Sequence, residues 1–283
     1  MRFLLLLAFV SVLAACGSDS DYAGEMREQH DGETPDPSGA TAGATDLDVV
    51  TEEVEYATVD GQAATGILAR PAEADGPLPA VIVIHEWWGL NDNIRDMARR
   101  IANEGYLALA VDLYGGEVAD TPDAAQSLMQ AAMGQEDALT DNLRQAYAYL
   151  AEREQAPAVG SVGWCFGGMW SLRTALALPS DLDAAVIYYG RPVTEADQLA
   201  ALEVPVLGLF GEADGSIPMF TVREFETALT EAGVENEIVS YEGAAHAFAN
   251  PSGQRYDAAA AEDAWTRTTA FFAEHLTAAP DSE

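Results

Sequence analysis

The chain carries two cysteines and four histidines among 283 residues, so few places can hold a nucleophile beside a base. One stretch has the spacing for it. Gly163-Trp164-Cys165-Phe166-Gly167-Gly168 follows a short apolar run and precedes a helical pattern through Trp170 and Leu172. A strand, a tight turn and a helix in that order put the middle residue in a strained backbone position. Glycines two residues to either side let strand and helix approach without Cβ clashes. This is a nucleophile elbow with cysteine in place of serine. A lone cysteine after a strand is usually a buried apolar filler. With this Gly and Cys usage, however, a Gly-x-Cys-x-Gly match arises by chance only roughly 0.01 times, which favours the nucleophile.

A thiol needs a base to become a thiolate, and the base needs an acid to orient it. In an elbow architecture both follow the nucleophile in the chain, at the carboxyl ends of later strands. Val204 to Phe210 runs into Gly211-Glu212-Ala213-Asp214, and Glu237 to Tyr241 runs into Glu242-Gly243-Ala244-Ala245-His246. The expected triad is therefore Cys165, Asp214 and His246. Glu212 competes for the acid role, and Asp214 beside Gly215 could instead be a turn former. His275 belongs to a terminal helical pattern, and His85 adjoins another candidate position. His30 has no companion ligands nearby. No metal and no organic cofactor is expected.

The elements that must carry these residues read as an α/β protein. Val49 to Val59 and Ala63 to Ala69 are β-rich and separated by Asp60-Gly61, which argues for an N-terminal hairpin. Ala80-Val81-Ile82-Val83-Ile84 is wholly apolar, as for a strand covered on both faces of a parallel sheet. Further strands are expected at 107–111, 159–163, 184–188, 204–210 and 235–240. They alternate with helices at 91–103, 122–133, 136–154, 168–177, 218–232 and 255–276. That alternation predicts a doubly wound, mainly parallel sheet.

Composition limits the partners. Thirteen basic residues, all Arg, face 47 acidic ones, for a net charge of -34, which repels nucleic acid and anionic membrane surfaces. An acid excess of this size suggests a halophilic or halotolerant source. The first 15 residues have one positive charge, an apolar stretch and small residues, the pattern of a secretory signal peptide. Leu13-Ala14-Ala15-Cys16 resembles the bacterial lipobox, so lipidation is expected at Cys16, with the mature chain held to the cell envelope. Residues 16–46 contain almost no large apolar groups and read as a flexible acidic tether. The folded domain spans 47–283.

Taken together, the pieces resemble the dienelactone hydrolase family of α/β-hydrolases, which uses a Cys-Asp-His triad. They are Val81-Ile82-Val83-Ile84-His85-Glu86-Trp87-Trp88-Gly89-Leu90-Asn91, Gly105-Tyr106 with Asp112-Leu113-Tyr114, the elbow itself, Tyr188-Tyr189-Gly190, and Glu242-Gly243-Ala244-Ala245-His246-Ala247-Phe248. The resemblance implies that Glu86 contacts the resting thiol and assists its deprotonation. It also places an oxyanion hole at the backbone N–H groups of Trp87 and Phe166. The family's founding enzymes clamp a substrate carboxylate with arginines. One of those positions here is Asn250, and no basic residue lies between Arg100 and Arg144. Arg191 is a candidate replacement or simply a surface residue. Trp87, Trp88, Tyr114, Trp170 and Phe248 suggest an aromatic pocket, with Trp170 alternatively a core residue.

The expected function is hydrolysis of a small, neutral ester or lactone outside the cytoplasm through a Cys165 acyl-enzyme. The alternative is a non-catalytic envelope lipoprotein that binds a small ligand on the same scaffold.

Overall fold

The computed structural model describes residues 19–35, 49–74 and 76–277. The expected signal peptide and Cys16 lie outside the described residues. The first described element is a helix, α1 (Asp19–Gln29). A hairpin follows, β1 (Val49–Val59) and β2 (Gln62–Pro71), turning through Asp60 and Gly61, both with positive φ. Two consecutive left-handed residues match the twist of the paired strands, which is why Asp-Gly suits this turn.

The remaining strands are β3 (Ala80–Ile84), β4 (Leu107–Val111), β5 (Val159–Trp164), β6 (Ala184–Tyr188), β7 (Val206–Gly211) and β8 (Asn236–Tyr241). They form one eight-stranded sheet in the order β1-β2-β4-β3-β5-β6-β7-β8. The hairpin adds antiparallel to β4, and every pairing from β4 to β8 is parallel. Strands β3 to β7 are buried along their whole length, while β1 and β8 are part-exposed edges. Helical layers on both faces explain the uninterrupted apolar runs.

Those helices are α2 (Asp92–Asn103), α3 (Pro122–Met133), α4 (Glu136–Ala148), α5 (Phe166–Ala177), the short α6 (Ala196–Leu199), α7 (Met219–Ala232) and α8 (Ala258–Thr277). Their ends follow local chemistry. Asn91 caps α2 by accepting from Ile94 N–H, Thr121 caps α3 ahead of Pro122, and Gly233 closes α7 in the left-handed conformation. The helix expected to run to 154 instead widens after Ala148 into a π-helical turn, Tyr149–Arg153, which buries Tyr149 and Leu150.

The described part of the tether departs from expectation. Composition, with little apolar surface, predicts flexibility for residues 19–35, yet α1 packs down on the domain. Tyr22, Ala23, Met26, His30 and Glu33 are all buried there. The reason is periodicity. Positions 22, 23, 26 and 30 share one face of a helix, so the few large groups are concentrated in a single stripe.

Candidate active site

The site lies at the carboxyl end of the parallel strands, where doubly wound sheets open a crevice. Cys165 occupies the turn from β5 to α5 with φ 57° and ψ -115°, and its N–H donates to Tyr188 O at 3.0 Å. A non-glycine residue held at positive φ is strained and persists only where its surroundings impose it. The imposing contacts are visible. A Cβ on Gly163 would stand 2.1 Å from Gly167 O, and one on Gly167 would stand 2.3 Å from Ile84 O.

Asp214 leaves the end of β7 and His246 the loop after β8, and their side chains meet. His246 Nδ1 donates to Asp214 Oδ2 at 2.7 Å, with both groups almost fully buried. Asp214 Oδ1 accepts from the backbone N–H groups of Ser216 and Ile217 at 2.9 and 3.1 Å. Burial alone would raise the Asp214 pKa, but the His246 charge and these hydrogen bonds hold it below the ordinary value. For His246, burial works against the charged form. The Asp214 carboxylate, with a smaller contribution from the Cys165 sulfur, outweighs it and raises the pKa above its ordinary value, which makes His246 a stronger base toward the thiol. Among the described residues its Nε2 is buried without a hydrogen-bond partner of normal geometry, leaving that nitrogen open to a reacting group. Glu212, the competing acid, is exposed and accepts from Ser240 Oγ.

Glu86 lies just past β3 and is 5% exposed. Burial lifts its pKa from 4.5 to about 7, the largest opposing influence being the His246 charge. Its Oε2 accepts from Asn250 Nδ2 at 2.6 Å. The thiol of Cys165, by contrast, donates to Met26 Sδ at 3.5 Å. Among the described residues the hydrogen bonds of Glu86 and of the thiol thus go to Asn250 and Met26 rather than to each other. Asn250, read from the sequence only as a missing arginine, anchors Glu86 and accepts from Asn93 Nδ2 at 2.8 Å.

The two expected oxyanion donors are Trp87, in the loop just past β3, and Phe166, the residue after Cys165. Trp87 N–H engages no acceptor among the described residues, and Phe166 N–H opens α5, where the first turn lacks intrahelical partners. His85 is not a base here. Its Nδ1 donates to Glu86 O at 2.6 Å and its Nε2 accepts from Leu113 N–H at 3.1 Å, which fixes the Glu86 and Leu113 loops against each other.

The aromatic candidates separate. Trp88 packs on Trp87 at 4.8 Å between ring centroids. Phe248 packs on Tyr189, which in turn stands 5.2 Å from His246. Tyr114 backs the elbow from beneath, against His85 and Phe166. Trp170 is fully buried on α5 beside Phe166, as a core residue. The Arg191 guanidinium lies over the ring of Tyr22 at 5.4 Å, and so reaches the rim of the site.

Several neighbours escaped sequence reasoning. Tyr22, Met26 and His30 of the N-terminal segment face the site, His30 standing 4.7 Å from Trp87 and 6.0 Å from His246. Arg255 ties that segment to the site loop. Its Nε donates to His246 O at 2.9 Å, Nη1 pairs with Glu33 at 2.9 Å, and it also reaches Gln29 O. The available signal was the i, i+4, i+8 spacing of Tyr22, Met26 and His30. Nothing local marks Arg255.

The sequence model of the dienelactone hydrolase family matches residues 64–276. Protein usf of Aquifex pyrophilus is 37% identical over 209 residues, covering 70% of this chain and 89% of its own length. A protein of Escherichia coli O157:H7 named "Putative carboxymethylenebutenolidase" is 37% identical over 221 residues, covering 73% of this chain and 81% of its own. Among solved structures, one from Klebsiella pneumoniae titled "Putative Dienelactone Hydrolase" superposes with a TM-score of 0.72 at 34% identity, over 80% of this chain and 99% of that one. With its sheet order and elbow already in place, this chain belongs to the dienelactone hydrolase family and is a hydrolase of the α/β-hydrolase fold.

Proposed function

We propose that the protein cleaves small, neutral carboxylic esters or lactones through an acyl-enzyme on Cys165. The observation that supports this best is the buried Asp214–His246 pair at 2.7 Å beside a cysteine held at positive φ in the elbow. His246 takes the thiol proton, with Glu86 assisting when substrate enters, and the sulfur attacks the carbonyl carbon. The oxyanion of the tetrahedral intermediate accepts from Trp87 and Phe166 N–H. As the C–O bond breaks, His246 returns the proton to the departing alkoxide. His246 then takes a proton from water, the hydroxide adds to the thioester, and the carboxylic acid leaves as Cys165 is regenerated.

Neutral substrates are favoured because Asn250, where the founding enzymes carry an arginine, is committed to Glu86. The Leu13-Ala14-Ala15-Cys16 sequence supports a location outside the cytoplasm with a lipid on Cys16. Two or more acyl chains there would anchor the protein stably. Intact mass spectrometry of membrane-extracted protein should show a mature chain beginning at acylated Cys16, and an unmodified terminus elsewhere would overturn that assignment. For the chemistry, purified protein should turn over short-chain p-nitrophenyl esters, and Cys165→Ala should lower kcat by about 10⁴-fold or more. Binding of esters without turnover would favour a ligand-binding lipoprotein instead.

A further inference from the structure

The space in front of Cys165, where an acyl group must sit, is filled by the chain's own N-terminal segment. Met26 Sδ is 3.5 Å from Cys165 Sγ and accepts its hydrogen bond. One turn earlier on the same face, Tyr22 is 1% exposed, beneath the Arg191 guanidinium. One turn later His30 lies against Trp87 and Trp88, with ring centroids 4.7 and 5.8 Å away. With α1 in place, Cys165, His246, Trp87 and Tyr22 are all at most 1% exposed.

We infer that α1 is an autoinhibitory plug whose withdrawal admits substrate. This rests on the proposed Cys165 chemistry only in naming what is blocked. Tyr22 and Met26 occupy the volume of the substrate's apolar portion, and no carbonyl carbon can reach Sγ while the thioether is there. The plug is built to be held and released. Its latch joins an ion pair, Glu33 with Arg255 at 2.9 Å, to a hydrogen bond from a neutral His30 Nδ1 to Glu33 at 2.7 Å, and Arg255 also donates to His246 O. Its seal is imperfect in polarity. Among the described residues, Tyr22 OH, Trp87 Nε1, Tyr189 OH and His246 Nε2 are buried around it with no hydrogen-bond partner of normal geometry. Polar groups left in that condition oppose the closed state and would be relieved by water or a polar substrate.

The test compares four full-length proteins: wild type, Met26→Glu, the double variant Tyr22→Ser/Met26→Ser, and Met26→Leu as the conservative control. The rate of iodoacetamide labelling at Cys165, followed on its own tryptic peptide, reports access independently of hydrolysis. Ester turnover is measured in parallel, and near-ultraviolet circular dichroism checks the fold. If the open state is the minor one, Met26→Glu and the double variant should label about ten-fold faster or more, with kcat/KM rising alongside, while Met26→Leu behaves as wild type. Labelling rates within about two-fold across all four would overturn the plug. Faster labelling with lower kcat/KM would also overturn it, showing that α1 builds the substrate site. Faster labelling with no turnover in any of the four would uphold the plug and refute the hydrolase chemistry, so the two failures are distinct.

Discussion

Glu86 should be a residue that weakens the fold at neutral pH, and Glu86→Gln is the perturbation that measures it. The carboxyl is 5% exposed, accepts from Asn250 Nδ2, and has its pKa raised by burial from 4.5 to about 7. A carboxylate whose folded pKa is raised binds protons more tightly folded than unfolded. Its stabilising contribution is present below the unfolded value and is lost as pH rises through the folded one. The window is therefore about pH 4.5 to about 7. Across it the loss is about 3 kcal/mol, from about 1.36 kcal/mol for each pH unit separating the two values. Glutamine keeps the shape and an acceptor for Asn250 and removes the titration. Urea unfolding at pH 4.5 and pH 8 should therefore show the variant close to wild type at the lower pH and more stable at the higher, by up to about 3 kcal/mol. The same substitution should lower kcat/KM and erase an inflection near pH 7, because the deprotonated carboxylate is the form that assists thiol ionisation. A stability difference that does not change between the two pH values would refute the reasoning.

Other expectations follow from individual contacts. Asp214→Asn keeps an oxygen for the Ser216 and Ile217 N–H groups but removes the charge facing His246 and favours the wrong tautomer, so kcat should fall by about 10³- to 10⁴-fold. Its thermal midpoint should move little by comparison with Gly167→Ala. That change sets a Cβ 2.3 Å from Ile84 O and should prevent recovery of folded, soluble protein. A neutral lactone or ester should be preferred over its carboxylated analogue, each missing charge-assisted hydrogen bond costing roughly 1.5 to 3 kcal/mol. A preference for the anionic analogue that disappears in Arg191→Ala would show that Arg191 serves as the clamp. Because a net charge of -34 repels itself, thermal stability should rise as salt increases to about 1 M, where the Debye length is about 3 Å. A flat or falling midpoint over that range would count against a halophilic origin.

What the sequence determined by itself was whatever is written in local pattern. Uninterrupted apolar runs reported strands covered on both faces, and Asp60-Gly61 reported a turn that only left-handed residues make. Gly163 and Gly167 flanked Cys165 because the elbow admits no Cβ at either place. Chain order brought forward His246 and the Glu212–Asp214 segment, of which Asp214 meets His246 at 2.7 Å, since strands of a parallel sheet deliver their carboxyl ends to one edge. Contacts that depend on three-dimensional neighbours were decided by the tertiary structure. Glu212 and Asp214 are indistinguishable in pattern, and only the direction of the loop after β7 turns one to solvent and the other to His246. Asn250 looked like a lost arginine until its amide was found on Glu86. Composition argued against order in residues 19–35, because it averages over a segment whose few apolar groups fall on one helical face. The groove in front of Cys165 is what makes that face useful, and a groove exists only once the sheet has folded.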